Sequence, residues 1–105
     1  MDVRNINDAK SWFEVLQTGE RSQTAMMTLA PGKSSGEKTE AHEDSDQVLL
    51  ILEGELTGEV GGEHLSLKKG DVIMIPSGVK HRFTNRAQTW AVTFNVYSPP
   101  AYPAG

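Results

Sequence analysis

A chain of 105 residues and 11.5 kDa is expected to form one domain, 1–105, since two would each lie near the size at which a core barely offsets chain entropy. With 37% hydrophobic and 23% charged residues, it is too apolar for a disordered tail and too polar for a membrane protein, and no apolar run approaches the roughly 20 residues of a membrane helix. There is no cysteine, which excludes disulfides, iron-sulfur clusters and thiol nucleophiles, and the formal charge of −4 with scattered Lys and Arg argues against a nucleic-acid partner.

The opening Met1-Asp2-Val3-Arg4-Asn5 lacks the apolar stretch of a signal peptide, so a cytoplasmic location and a small-molecule partner are expected. Asn7 or Asp8 can cap a short helix over Asp8 to Leu16, whose Trp12, Phe13, Val15 and Leu16 would form one apolar face before Gly19 ends it. Ser22 to Ala30 reads as a strand with Gln23, Ala25, Met27 and Leu29 on one side, stopped by Pro31-Gly32. Lys33 to Glu37 is expected to be loop.

Gly61-Gly62 is a two-residue hairpin turn, and pairing outward from it sets Val60 opposite Glu63, Glu59 opposite His64 and Leu56 opposite Leu67. That register places Leu56, Gly58, Val60, Leu65 and Leu67 on one face and Glu55, Thr57, Glu59, His64 and Ser66 on the other, the pattern of a half-buried antiparallel pair. Asp71 to Ile75 and Arg82 to Asn85 are further strands flanking Pro76-Ser77-Gly78, and Trp90 to Tyr97 is the last. The prolines in the tail from Ser98 bar it from a sheet interior. Short strands of this number and spacing point to an all-β sandwich or barrel.

Gly70, Pro76, Gly78, His81 and Asn85 match the pattern G-x5-P-x-G-x2-H-x3-N, and the chain resembles the cupin superfamily of small jelly-roll β-barrels in carrying it. The other cupin motif, G-x5-H-x-H-x3,4-E-x6-G, is met in altered form. Its closing glycine falls on Gly54, its glutamate position on Gln47 and its two histidine positions on Glu40 and His42, with Ser34 at the opening. The Glu-x-His then Asp-Gln pattern is similar to a subgroup of single-domain cupins, some labelled mannose-6-phosphate isomerase-like. Relatives often carry Glu and His where this tail has Ala101 and Tyr102, which argues against a role for the tail at a site.

The resemblance implies a metal centre on Glu40, His42, Gln47 and His81, two imidazoles, a carboxylate and an amide oxygen that suit Zn, Fe(II), Mn(II), Co(II) or Ni(II). Residues two apart on a strand share a face, so Glu40 and His42 are expected to point inward together, with Glu43-Asp44-Ser45-Asp46 turning the chain before Gln47. Gln47, Leu49, Ile51, Phe83 and Met27 are expected to line a largely apolar pocket around them. His64 reads as a solvated surface histidine, and Asn85 as a residue that holds backbone near a turn. No strong general acid or base stands outside the metal set; Tyr97, Gln23 and Thr28 are weak candidates. The function expected is therefore a metal-dependent protein that binds or acts on a small oxygenated metabolite, sugar-like or of a dioxygenase type. A non-catalytic binding or sensing module, with or without metal, is the alternative. A homodimer is also expected, with the Trp12-Phe13 segment and the Pro-rich tail as contact surfaces.

Overall fold

The start of the chain obeys strand alternation, not helical periodicity. In the computed structural model, which describes residues 1–104, the helix expected over Asp8 to Leu16 does not form. A single 3-10 turn at Ile6–Asp8 is capped by Asn5, whose Oδ1 accepts from the Asn7 N–H at 2.9 Å while its own N–H donates to Asp8 Oδ2 at 3.1 Å. Strand β1 (Phe13–Thr18) then pairs with β2 (Gln23–Leu29), setting Phe13 opposite Met27 and Val15 opposite Ala25. So short an amphipathic segment has little helical stability of its own, whereas as a strand its aromatic and β-branched residues cover the open edge of β2.

The remaining strands are β3 (Asp46–Glu53), β4 (Glu55–Val60), β5 (Glu63–Lys68), β6 (Val72–Ile75), β7 (His81–Thr84) and β8 (Ala91–Ser98). They form two antiparallel sheets, ordered β1-β2-β8-β3-β6 and β5-β4-β7, packed as a jelly roll. The hairpin register is the expected one: Val60 faces Glu63, Glu59 faces His64 and Leu56 faces Leu67. Leu56 is buried while Glu55 and His64 are exposed, so burial sorts the two faces as the alternation requires.

The chain changes sheets four times, and three of those connections, before β4, β6 and β7, contain a glycine with positive φ: Gly54, Gly70 and Gly78. Gly54 (φ 77°) joins β3 to β4, and a Cβ there would lie 2.4 Å from the Trp90 carbonyl oxygen, so no other residue fits. The turn at Pro76-Ser77-Gly78 carries the chain from β6 in one sheet to β7 in the other, and thereby delivers His81 to the first position of β7. Between the sheets lies a buried cluster of Met27, Leu29, Leu49, Ile51, Leu56, Ile75, Phe83 and Ala91. Asn85 closes one end of it, donating from Nδ2 to the carbonyls of Leu29 and Thr89, both at 2.8 Å, and accepting from the Ala87 N–H at 2.9 Å. It holds backbone, as expected. Among the described residues no helix is long and apolar enough to cross a membrane.

Candidate functional site

One rung of the large sheet is polar on its inner side. Register places Gln23 of β2 beside Tyr97 of β8, and Tyr97 beside Gln47 of β3, and all three side chains are buried. Antiparallel strands bring these residues together from opposite ends of the chain, and period-two alternation turns them inward. His81 opens β7 on the facing sheet and is 8% exposed. His42 belongs to no strand: it sits in the connection before β3, where its carbonyl accepts from the Gly78 N–H at 2.8 Å. Glu40 pairs with His81 through two backbone hydrogen bonds of 2.8 and 3.0 Å, but its residue is exposed. The two-apart strand geometry expected for Glu40 and His42 is therefore replaced by an isolated bridge followed by irregular backbone, the run Glu43-Asp44-Ser45-Asp46 being too polar to extend a strand.

Of these, Tyr97, Gln47, His81, His42 and Glu40 line a cavity of about 320 Å³, in which Met27 and Phe83 form apolar wall, Trp12 and Phe13 reach in from the β1 side, and the exposed Lys38 and Glu40 stand near the mouth. The imidazoles of His42 and His81 lie 5.2 Å apart by ring centroid. His81 Nδ1 is 3.0 Å from the Val79 carbonyl, which makes Nδ1 a donor and orients the ring. Burial lowers the His42 pKa, and His81 lowers it further while Glu40 opposes, so the site favours the neutral His42 imidazole.

Gln47 is oriented by a buried relay. Its Nε2 donates to Asn95 Oδ1 (3.0 Å), Asn95 Nδ2 donates to Thr93 Oγ1 (3.0 Å), and that hydroxyl donates to the Met27 carbonyl (2.9 Å). With its amide nitrogen so used, Gln47 Oε1 is the one buried side-chain oxygen or nitrogen among the described residues without a hydrogen-bond partner. Leaving it so costs about 1–3 kcal/mol, a cost that a bound cation or donor removes. No group of three or more His, Cys, Asp or Glu side chains converges on one cation position among the described residues. A donor set here consists of the two imidazoles and the Gln47 amide oxygen, with Glu40 at the rim.

The cupin domain family matches residues 25–97, a span that holds all four candidate ligands, strands β3 to β7 and most of β2 and β8. The chain belongs to the cupin family. Among solved structures, the cupin barrel superposes on BH2720 of Bacillus halodurans with a TM-score of 0.88, 26% identity and coverage of 99% of this chain and 85% of that one. Among curated relatives, the tetracenomycin polyketide synthase protein TcmJ of Streptomyces glaucescens is 36% identical over 73 residues, 70% of this cupin and 48% of that protein. The auxin-binding protein ABP19b of Prunus persica is 33% identical over 82 residues, 73% of this cupin and 38% of that protein. The chain thus spans less than half the length of either curated relative.

Two parts of the site differ from expectation. The C-terminal tail, expected to stand apart from it, contributes Tyr102 to the wall, with ring centroids 5.4 Å from His42 and 4.8 Å from Phe13. Asn95 and Thr93, not singled out in the sequence, hold Gln47 in place. Tyr97 and Tyr102 pack 5.1 Å apart, and burial raises both phenols above their ordinary pKa, so both stay protonated near neutrality. His64, by contrast, is exposed on the hairpin, on the side away from this cavity.

Proposed function

We propose that this cupin binds a divalent metal ion, one of zinc, iron, manganese, cobalt or nickel, through His42, His81 and Gln47 Oε1, with Glu40 completing the set from the rim, and that a small oxygenated metabolite binds at that ion. The observation that carries this reading is the orphaned Gln47 oxygen in a cavity that also holds two imidazoles. A borderline divalent cation suits such N and O donors, and when bound it supplies a Lewis acid to an oxygen of the ligand. The protein's own residues do the rest: the relay through Asn95 and Thr93 fixes the amide, the Val79 carbonyl orients the His81 ring, and the apolar wall excludes water.

The likeness of the Glu40-x-His42 segment to mannose-6-phosphate isomerase-like cupins supports the same ligand types and keeps a sugar-like ligand in view. The names of the two curated relatives, a polyketide synthase protein and an auxin-binding protein, also favour a small-molecule ligand. A non-catalytic binding or sensing role is the second reading, favoured by one observation: beyond the donor set the inner wall of the cavity offers two tyrosines held protonated, while Lys38 is exposed.

The test compares His81→Ala with His64→Ala, in protein purified without chelator or polyhistidine tag, by metal content and melting temperature. His81→Ala loses the metal and keeps the folded apo barrel, stability falling mainly by what the bound ion contributed through mass action. His64→Ala changes neither. Full metal occupancy in His81→Ala overturns the centre proposed.

We also propose a homodimer, through a different surface from the one the sequence suggests. The tail and Phe13 pack on each other within one chain. On the outer face of the five-stranded sheet, however, register aligns Phe94, Leu50 and Val72 in one row beside the buried Met26, and Val96, Val48 and Met74 in the next, with Val72 62% and Met74 64% exposed. At about 4.8 Å between strands and about 3.3 Å per residue, these strands present roughly 500 Å² of flat sheet face, the larger part of the ~800 Å² each partner gives in a standard interface. A second copy suits it, because a two-fold pair buries the same patch twice. Light scattering at micromolar concentration is expected to give twice the chain mass, and Met74→Lys the single mass; a wild-type monomer refutes the proposal.

A further inference from the structure

Gln23 is an amide buried to 1% exposure on a strand face that otherwise carries Ala25, Met27 and Leu29. Every valence of that amide is used. Nε2 donates to Thr18 Oγ1 and to the Tyr102 carbonyl, both at 2.9 Å, and Oε1 accepts from the N–H groups of Ala101 at 3.1 Å and Tyr102 at 3.0 Å. Three of the four bonds therefore hold the tail, across 78 or 79 residues of sequence. A buried amide with all its partners is a rigid attachment point, and one stripped of them is costly, so the tail is latched in one position.

The latch sets the Tyr102 ring among Phe13, Tyr97 and His42, with centroids at 4.8, 5.1 and 5.4 Å. Tyr97 and Tyr102 stand edge to face on the same cavity wall, so a phenol O–H donor lies within the lining. Trp12 and Phe83 add further aromatic wall, and the Lys38 ammonium stands near the mouth. Rings at these separations accept another ring edge-on or offset, which a saturated ring of equal size does not match. A neutral phenol donor and a cation together favour an anionic oxygen.

We propose that the Gln23-latched tail is a built wall of the ligand site, and that Tyr102 selects a small planar conjugated acid, packing on its ring and donating to its oxygen. This deepens the reading of the cavity as a small-molecule site and rests on it. The experiment titrates the wild-type protein with benzoate and with cyclohexanecarboxylate, equal in charge and similar in size but different in planarity, by ligand-observed NMR, and measures metal content on the same samples. Benzoate is expected to bind several-fold tighter. Tyr102→Ala weakens benzoate about tenfold and removes the preference, whereas Tyr102→Phe weakens it about threefold and keeps the preference. Gln23→Leu behaves as Tyr102→Ala provided its melting temperature shows a folded barrel; should it not fold, the two Tyr102 variants decide. Metal content is unchanged in both Tyr102 variants. A protein that discriminates the two acids without taking up metal retains this proposal and overturns the metal centre. Equal binding of the two acids, no binding of either at millimolar concentration, or a Tyr102→Ala protein with the wild-type preference overturns the proposal itself.

Discussion

The inner face of the five-stranded sheet has two ends of opposite character. At one end, Leu29 lies beside Ala91 and Ile51 beside Thr93, and the cluster continues into Leu56 and Phe83 of the other sheet. At the other end, Gln23, Tyr97 and Gln47 fill the corresponding positions of the same strands, with His81 across the cavity. Apolar side chains at the first end bury area without demanding partners, so they supply stability. The polar end demands a partner for every buried atom and meets that demand with two arrangements, the Gln23 latch and the Asn95-Thr93 relay, yet leaves Gln47 Oε1 unmet. One barrel thus separates folding from chemistry along its axis, and the strand residues between the ends, Ala25, Asn95 and Leu49, mark the change.

The largest expected effect lies at the apolar end. Ile51 is 1% exposed within the core cluster, and Ile51→Ala is expected to cost about 2–5 kcal/mol in urea unfolding, through lost burial and the cavity left behind. Metal content per folded molecule should stay at the wild-type value, because Ile51 touches none of the donor groups directly. A loss below about 1 kcal/mol, or a loss of metal at full folding, breaks the division between the two ends.

Much of the fold is legible because its signals are local. Gly61-Gly62 determines a register through turn geometry alone, and the spacing from Gly70 to Asn85 marks a sheet-to-sheet crossing that brings His81 inward. The segment Phe13–Thr18 was ambiguous for the opposite reason: a short apolar run fits a helix face and a strand face equally, and the open edge of β2 that decides between them is a tertiary fact. The site divides the same way. Glu40, His42, Gln47 and His81 could be placed on one cavity from motif spacing, whereas Asn95 depends on which strand lies beside β3, and Tyr102 on hydrogen bonds spanning almost the whole chain. One signal was available for the tail. Gln23 falls in the inward register of Ala25, Met27 and Leu29, and a buried amide in an apolar row requires partners from elsewhere.

The smallest stability effect is expected where the sequence departs from the family pattern. Leucine in place of Gln47 has similar volume and fills the same space on β3. Gln47→Leu removes the hydrogen bond to Asn95 Oδ1 and leaves that oxygen without its partner, which lowers stability. It also removes the orphaned Oε1 and replaces it with apolar surface in a buried position, which raises stability. Each contribution is about 1–3 kcal/mol and the signs oppose, so apo Gln47→Leu should unfold within about 1 kcal/mol of the wild type. Metal affinity, however, loses an oxygen donor and falls with nothing to offset it. The two measurements together isolate the role of that amide: if it serves only to hold the strands through Nε2, apo stability drops by about 1–3 kcal/mol with metal content unchanged, and if its oxygen faces an ion, the metal is weakened while the apo barrel stands. An unchanged metal affinity in Gln47→Leu would remove the polar end's claim to be kept for binding.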